Sequence, residues 1–262
     1  MILCLPHFAA AQEDAEATVE NEEATLENMT DKAPEYGGVH LSIAFMPMLA
    51  QTYKLESKFQ DGATFFPFMR GYDFELLFFG YRPAVFGLSA GGWLNRAQGP
   101  DVDTKVSIFD LMLHAGTALH KFDHGALYLT VGAGWSHTMI MMSGDREDVR
   151  KQLGQDAGDF DSISDDCDCD PEESGTYIFT QNGYIVDISL RADRMLFFRL
   201  PAVSPLLVYG ISAGYRSVPF HSEWEKEPKN GPGASLVPNI TDHMVYARFH
   251  IGFGAAWQKD TK

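Results

Sequence analysis

The chain has 262 residues, a formal net charge of −16, 45% hydrophobic residues and three cysteines. That length holds one large domain or two small ones, and the acidic balance argues against a nucleic-acid-binding body, which wants a basic footprint. No apolar run reaches the roughly 18–20 residues of a membrane helix. The best stretch, Met195 to Tyr209, is broken by Arg199, Pro201 and Pro205.

The acidity sits in two segments. Residues 12–36 carry nine acids and one lysine, residues 144–175 carry twelve acids and three basic residues, and the remainder is close to neutral. Such runs are solvated faces or tails. Residues 1–11 end in Ala9-Ala10-Ala11, a small-residue cleavage pattern, and read as a signal-peptide remnant. Its removal takes Cys4 and leaves Cys167 and Cys169, whose C-x-C spacing makes a bridge strained. Residues 12–37 are poor in apolar side chains and are expected to form a disordered periplasmic tail.

Residues 38–262 are expected to form one folded unit. Eight segments there alternate in character, the signature of a strand with two different faces. Their apolar positions are Val39, Leu41, Ile43, Phe45; then Tyr72, Phe74, Leu76, Phe78; then Phe86, Leu88, Ala90; then Phe109, Leu111, Leu113, Ala115. The second four are Leu127, Leu129, Val131, Ala133, Trp135; then Tyr184, Val186, Ile188, Leu190; then Leu207, Tyr209, Ile211, Ala213, Tyr215; and last Val245 through Trp257 at every second position. Each is long enough for the roughly 9–11 residues of a tilted membrane strand. On the fifth segment the opposite face is Ala126, Tyr128, Thr130, Gly132, Gly134 and Ser136, without a charge. That composition suits a crowded lumen and argues against a soluble ligand-binding barrel with its outer face in water.

The connections alternate too. Gly80 to Pro83 and Lys121 to Gly125 have tight-turn compositions. The links near residues 49–63, 144–175 and 218–240 are long, and 97–103 is intermediate. Outer-membrane barrels place short turns in the periplasm and longer loops outside. The sixth-to-seventh link, Ala192 through Leu206, breaks the pattern by being long and apolar. Asn182-Gly183 favours a type I′ hairpin turn, so ten strands is the alternative to eight. The fold class is therefore all-β: a transmembrane, antiparallel, up-and-down β-barrel with long extracellular loops.

This pattern, over about residues 38–258, resembles the small bacterial outer-membrane barrels of the OmpA/OmpX/OmpW-like group. The resemblance implies residence in the outer membrane of a Gram-negative bacterium, contact with outer-membrane lipid and lipopolysaccharide, and a monomer. It also implies delivery by the barrel-assembly machinery, which reads a terminal aromatic; Trp257 resembles that signal, with Gln258 to Lys262 following it.

The alternation points ten polar residues inward: His40, Asp73, Glu75, Asp110, His114, Asp187, Arg191, Arg216, Arg248 and His250. An eight-stranded barrel is only wide enough for side chains to fill, and charges sharing that space must pair. A polar plug with a structural or surface-interaction role is the leading reading; a narrow porin-like channel for ions or small solutes is the alternative. Ser136 and His137 are consecutive on a strand, so they face opposite ways and form no nucleophile pair; no catalytic residue is predicted, and a lipid-modifying enzyme is the least favoured reading. Asp165, Asp166, Asp168 and Asp170 supply hard oxygen ligands for weakly held Ca²⁺ or Mg²⁺ without the spacing of a defined site. No other cofactor is expected. Trp93, Trp135, Tyr215, Trp257, Tyr72 and Tyr81 are candidate interface aromatics.

Overall fold

A computed structural model describes residues 36–56, 64–80, 83–99, 101–122, 124–152, 174–198, 204–227 and 237–258. In chain order its elements are β1 (Tyr36–Phe45), β2 (Met48–Leu49), α1 (Tyr53–Glu56), β3 (Arg70–Phe79), β4 (Ala84–Gln98), β5 (Asp103–Phe122) and β6 (Gly125–Asp145). There follow α2 (Arg146–Gln152), β7 (Ser174–Phe197), β8 (Ser204–His221), β9 (Glu225–Glu227) and β10 (Met244–Gln258).

Eight long strands form a ring in the order β1-β3-β4-β5-β6-β7-β8-β10, and β10 returns to β1. Every neighbouring pair in it is antiparallel, and the closing seam runs from Tyr36↔Gln258 to Phe45↔Phe249. The remaining strands are short additions, β2 on β10 and β9 on β7. β1 and β2 are almost one strand, parted at Met46 and Pro47. Proline has no N–H for the ladder, but its carbonyl still accepts from Ala247 N at 3.2 Å.

The ring has eight staves, and the ten-strand alternative is set aside. Asn182-Gly183 does not turn: it lies inside β7, paired with His137 and Ser136 of β6. A continuous ladder from Asp145↔Ser174 to Gly125↔Arg194 outweighs the local turn preference. The long sixth-to-seventh link likewise dissolves into strand, because β7 runs to Phe197 and β8 begins at Ser204.

Short connections at residues 80–83, 123–124 and 198–203 share one end of the ring with both chain ends of the barrel. In the tightest, His124 takes φ 58°, the left-handed position that such a turn demands. The links 46–69, 99–102, 146–173 and 222–243 share the other end. β5, β6 and β7 have 20, 21 and 24 residues, about twice what a bilayer requires. The sheet therefore continues well beyond the membrane on the long-loop side.

Side chains sort by face as the alternation predicts. Among the described residues, thirty-four large hydrophobic side chains are exposed, including Leu41, Phe74, Phe86, Leu113, Ile188, Ile211 and Phe253. In water each forgoes about 1.5–3 kcal/mol of burial, so a surface of this kind is stable only against lipid. Aromatics stand at the ends of the belt: Tyr72, Trp135, Tyr184 and Tyr215 on the long-loop side, Trp257 on the other.

Candidate functional site

The candidate site is the lumen, and it is layered. At mid-height, Arg191 is held on three sides. Its Nη1 donates to Glu75, its Nε lies 2.8 Å from both Asp193 carboxylate oxygens, and its Nη2 lies 3.2 Å from His250 Nε2. The same His250 nitrogen is 2.8 Å from Asp193 Oδ1. Arg248 reaches Glu75 at 3.0 Å and Asp73 at 3.1 Å. Arg216 donates to Asp110 at 2.8 Å and to Asp187 at 3.2 Å, while its guanidinium stacks on the rings of Trp93 and Tyr246 at 5.0 and 5.1 Å. The Tyr246 hydroxyl donates to Asp187 at 3.0 Å. His114 pairs with Ser89 at 2.7 Å, and His40 packs near the Phe79 ring.

All of these groups are buried. Charges at this depth persist only when paired and hydrogen-bonded, and every pair except Arg191 with Asp193 joins two different staves. The arginine fork suits the task, since its five donors serve several carboxylates at once.

Apolar layers lie on both sides of this network. Toward the short turns lie Phe79, Val85, Ala126, Tyr128, Met195, Leu206, Val208 and Ala256. Toward the long loops a larger cluster includes Trp93, Val106, Ile108, Ile140, Met142, Phe179 and Met244, capped by Met46, Met48 and Leu55 from the first long link and by Val237 and Ile240 from the last. Trp93 forms the floor of that upper layer. A Cβ at Gly71 would come within 2.2 Å of its indole, and one at Gly91 within 2.4 Å, so two glycines make its place.

All ten residues read from sequence as inward are buried in the lumen, and most share one network. Trp93 is a correction. It is not an interface aromatic but faces inward, 1% exposed; the alternation of Phe86, Leu88 and Ala90 already assigns odd positions of that strand to the lumen. Trp135, Tyr215, Trp257 and Tyr72 do face outward, and Tyr81 lies outside the described residues. Asp193 and Tyr246 were missed. Asp193 was hidden by reading residues 192–206 as a link, although it stands two positions from Arg191 on the same face. Ser136 is inward and His137 outward, stacked on Trp135. Asp165, Asp166, Asp168 and Asp170 lie outside the described residues.

A closed antiparallel ring, apolar outside and polar within, pairs its backbone strand to strand around the whole circuit and presents no open edge to lipid. This is a transmembrane β-barrel of the outer-membrane type. No family model matches the chain, and no curated protein matches it. Among solved structures it is similar to Ail, the attachment invasion locus protein of Yersinia pestis, at 10% identity and TM-score 0.36, over 86% of this chain and 99% of that one. It is similar also to Neisserial surface protein A at 10% identity and TM-score 0.33, over 87% of this chain and 100% of that one. A third is the outer membrane protease OmpT from Escherichia coli, at 8% identity and TM-score 0.30, over 87% and 98%. The assignment of the barrel rests on its own closed ring and apolar exterior.

Proposed function

We propose that the protein is a closed, non-conducting barrel with a structural or surface-interaction role, anchoring a rigid extracellular extension of its own sheet. The observation that carries this reading is the pair of apolar layers above and below the charged network. A water-filled conduit needs a continuous polar path, and Trp93, Ile140, Met142 and Phe179 on one side and Tyr128, Met195 and Val208 on the other interrupt it. The length of β5 to β7 supports the second half of the reading, because a strand twice as long as the bilayer is thick carries surface to the outside.

The role is non-enzymatic on this reading. Ser136 and His137 point to opposite faces, and the charged groups of the buried network are engaged with one another in ion pairs. Planar-bilayer recording of the refolded full-length chain tests the proposal. Silence at applied potentials is expected, and steady single-channel steps would replace it with the porin-like reading.

A further inference from the structure

The outer surface is not uniform. An apolar groove of about 490 Å³ crosses the β1–β10 seam, walled by Tyr72, Phe45, Phe249, Ile211, Tyr209 and Ile251. The first four form one row of directly opposed residues, Tyr72↔Phe45, Phe45↔Phe249 and Phe249↔Ile211. The row is oblique to the membrane edge. Outward apolar positions continue above it to Val245 on β10 and Tyr215 on β8, whereas on β3 Tyr72 is the last. The β3 end of the groove therefore lies nearest the extracellular rim.

The next outward residue above Tyr72 is Arg70, one strand repeat of roughly 6.6 Å higher. Its guanidinium lies over the Phe66 ring at 5.3 Å, and among the described residues no carboxylate pairs with it. Directly opposite it on β4 is the exposed Leu94, and one repeat farther out Arg96 of β4 opposes Lys105 of β5. Both share Asp103: Arg96 binds it through two bonds of 2.7 and 2.8 Å, and Lys105 stands 3.9 Å away. On the other staves the residues just above the belt are uncharged or histidine: His137, Asn182, Ser217 and His243. Across the ring the exposed acids Glu223, Glu225 and Glu227 make the rim negative. Three permanent cations around the one shared carboxylate of Asp103 thus gather on one face, above the upper end of the groove.

We infer that this face holds one phosphorylated, acylated lipid of the outer leaflet, with an acyl chain along the groove and a phosphate on Arg70, flanked by Arg96 and Lys105. The inference rests on the membrane reading of the barrel. The groove supplies apolar contact at the depth of acyl chains, and the cations stand where an anionic headgroup lies. A soluble phosphate would use only the cations and gain nothing from the groove. Arg70 is the primary contact, because Asp103 already offsets its two neighbours.

The test is native mass spectrometry of the full-length barrel in detergent, mixed with diphosphoryl lipid A or its dephosphorylated form. The wild-type chain should retain the diphosphoryl lipid and release the other. Arg70→Glu should weaken retention by about tenfold or more, Arg70→Lys should largely restore it, and Ile251→Trp, which fills the groove, should abolish it. Arg194→Glu, at the opposite end of the barrel, should change nothing. Inorganic phosphate should not displace the lipid. Equal retention of both lipids, indifference to Arg70→Glu in a variant that keeps its heat-modifiable gel shift, or displacement by inorganic phosphate would overturn the inference. Failure of the membrane reading would look different: a monodisperse, detergent-free protein with no heat shift at all.

Discussion

Arg191 donates to Glu75 across 116 positions of sequence, joining β7 to β3 through the middle of the barrel. The two staves are not neighbours in the ring, so the pair is a cross-brace as well as a neutralised charge. Asp193 and Glu75 both depend on it. Replacing Arg191 with Met should leave Glu75 with Arg248 and Asp193 with His250 as their remaining ionic partners, and cost about 3–5 kcal/mol. Adding Glu75→Gln and Asp193→Asn should return a large part of that loss. Urea titration followed by the heat-modifiable gel shift measures both; an unchanged midpoint for Arg191→Met would contradict the cross-brace.

Leu113 is 68% exposed at mid-belt on β5, directly opposite Leu88 and Ala133. Leu113→Arg should therefore destabilise the membrane-embedded barrel by about 2–4 kcal/mol, whereas Ser107→Arg, near the extracellular rim on the same face, should cost about 0–1 kcal/mol. Folding titrations into lipid vesicles give both values. Equal costs would mean that the two positions share one environment.

Gly91 leaves room for the Trp93 indole. A Cβ there would lie 2.4 Å from the ring, so Gly91→Val must push the tryptophan from its seat. Overpacking of this kind costs about 1–3 kcal/mol. The expected readout is a lower unfolding midpoint together with loss of the Trp93 near-ultraviolet signal, while far-ultraviolet strand content persists.

The staves and their facing were legible in sequence because lipid outside and a packed lumen inside impose a strict period of two, as at Leu41, Ile43 and Phe45. The same rule placed Arg191, Arg216 and Arg248 inward. Two things were not legible. Turn propensity at Asn182-Gly183 is local, whereas the β6 ladder that keeps this dipeptide extended is a tertiary effect. The upper layer was missed because inward apolar residues such as Ile140 and Phe179 lie above the membrane, where Met139, Met141 and Ile178 make the opposite face apolar too. Who pairs with whom in the lumen depends on barrel closure, which no local pattern encodes.

Trp257 stands outward on the last stave, paired with Gly37 at the seam. If it acts as the terminal signal for assembly, Trp257→Ala should slow arrival in the outer membrane while leaving the folded barrel stable once formed. Pulse-chase labelling read by the heat-modifiable shift separates the two effects. An unaltered rate would assign Trp257 to the aromatic belt alone.

The most direct measurement is fluorescence quenching of single-tryptophan variants reconstituted in bilayers, with Trp93, Trp135 or Trp257 retained in turn. Brominated lipid should quench Trp135 and Trp257, and neither brominated lipid nor aqueous iodide should reach Trp93. Iodide quenching of Trp93 would reveal an open lumen, and a Trp135 untouched by brominated lipid would show that the apolar face does not meet the bilayer.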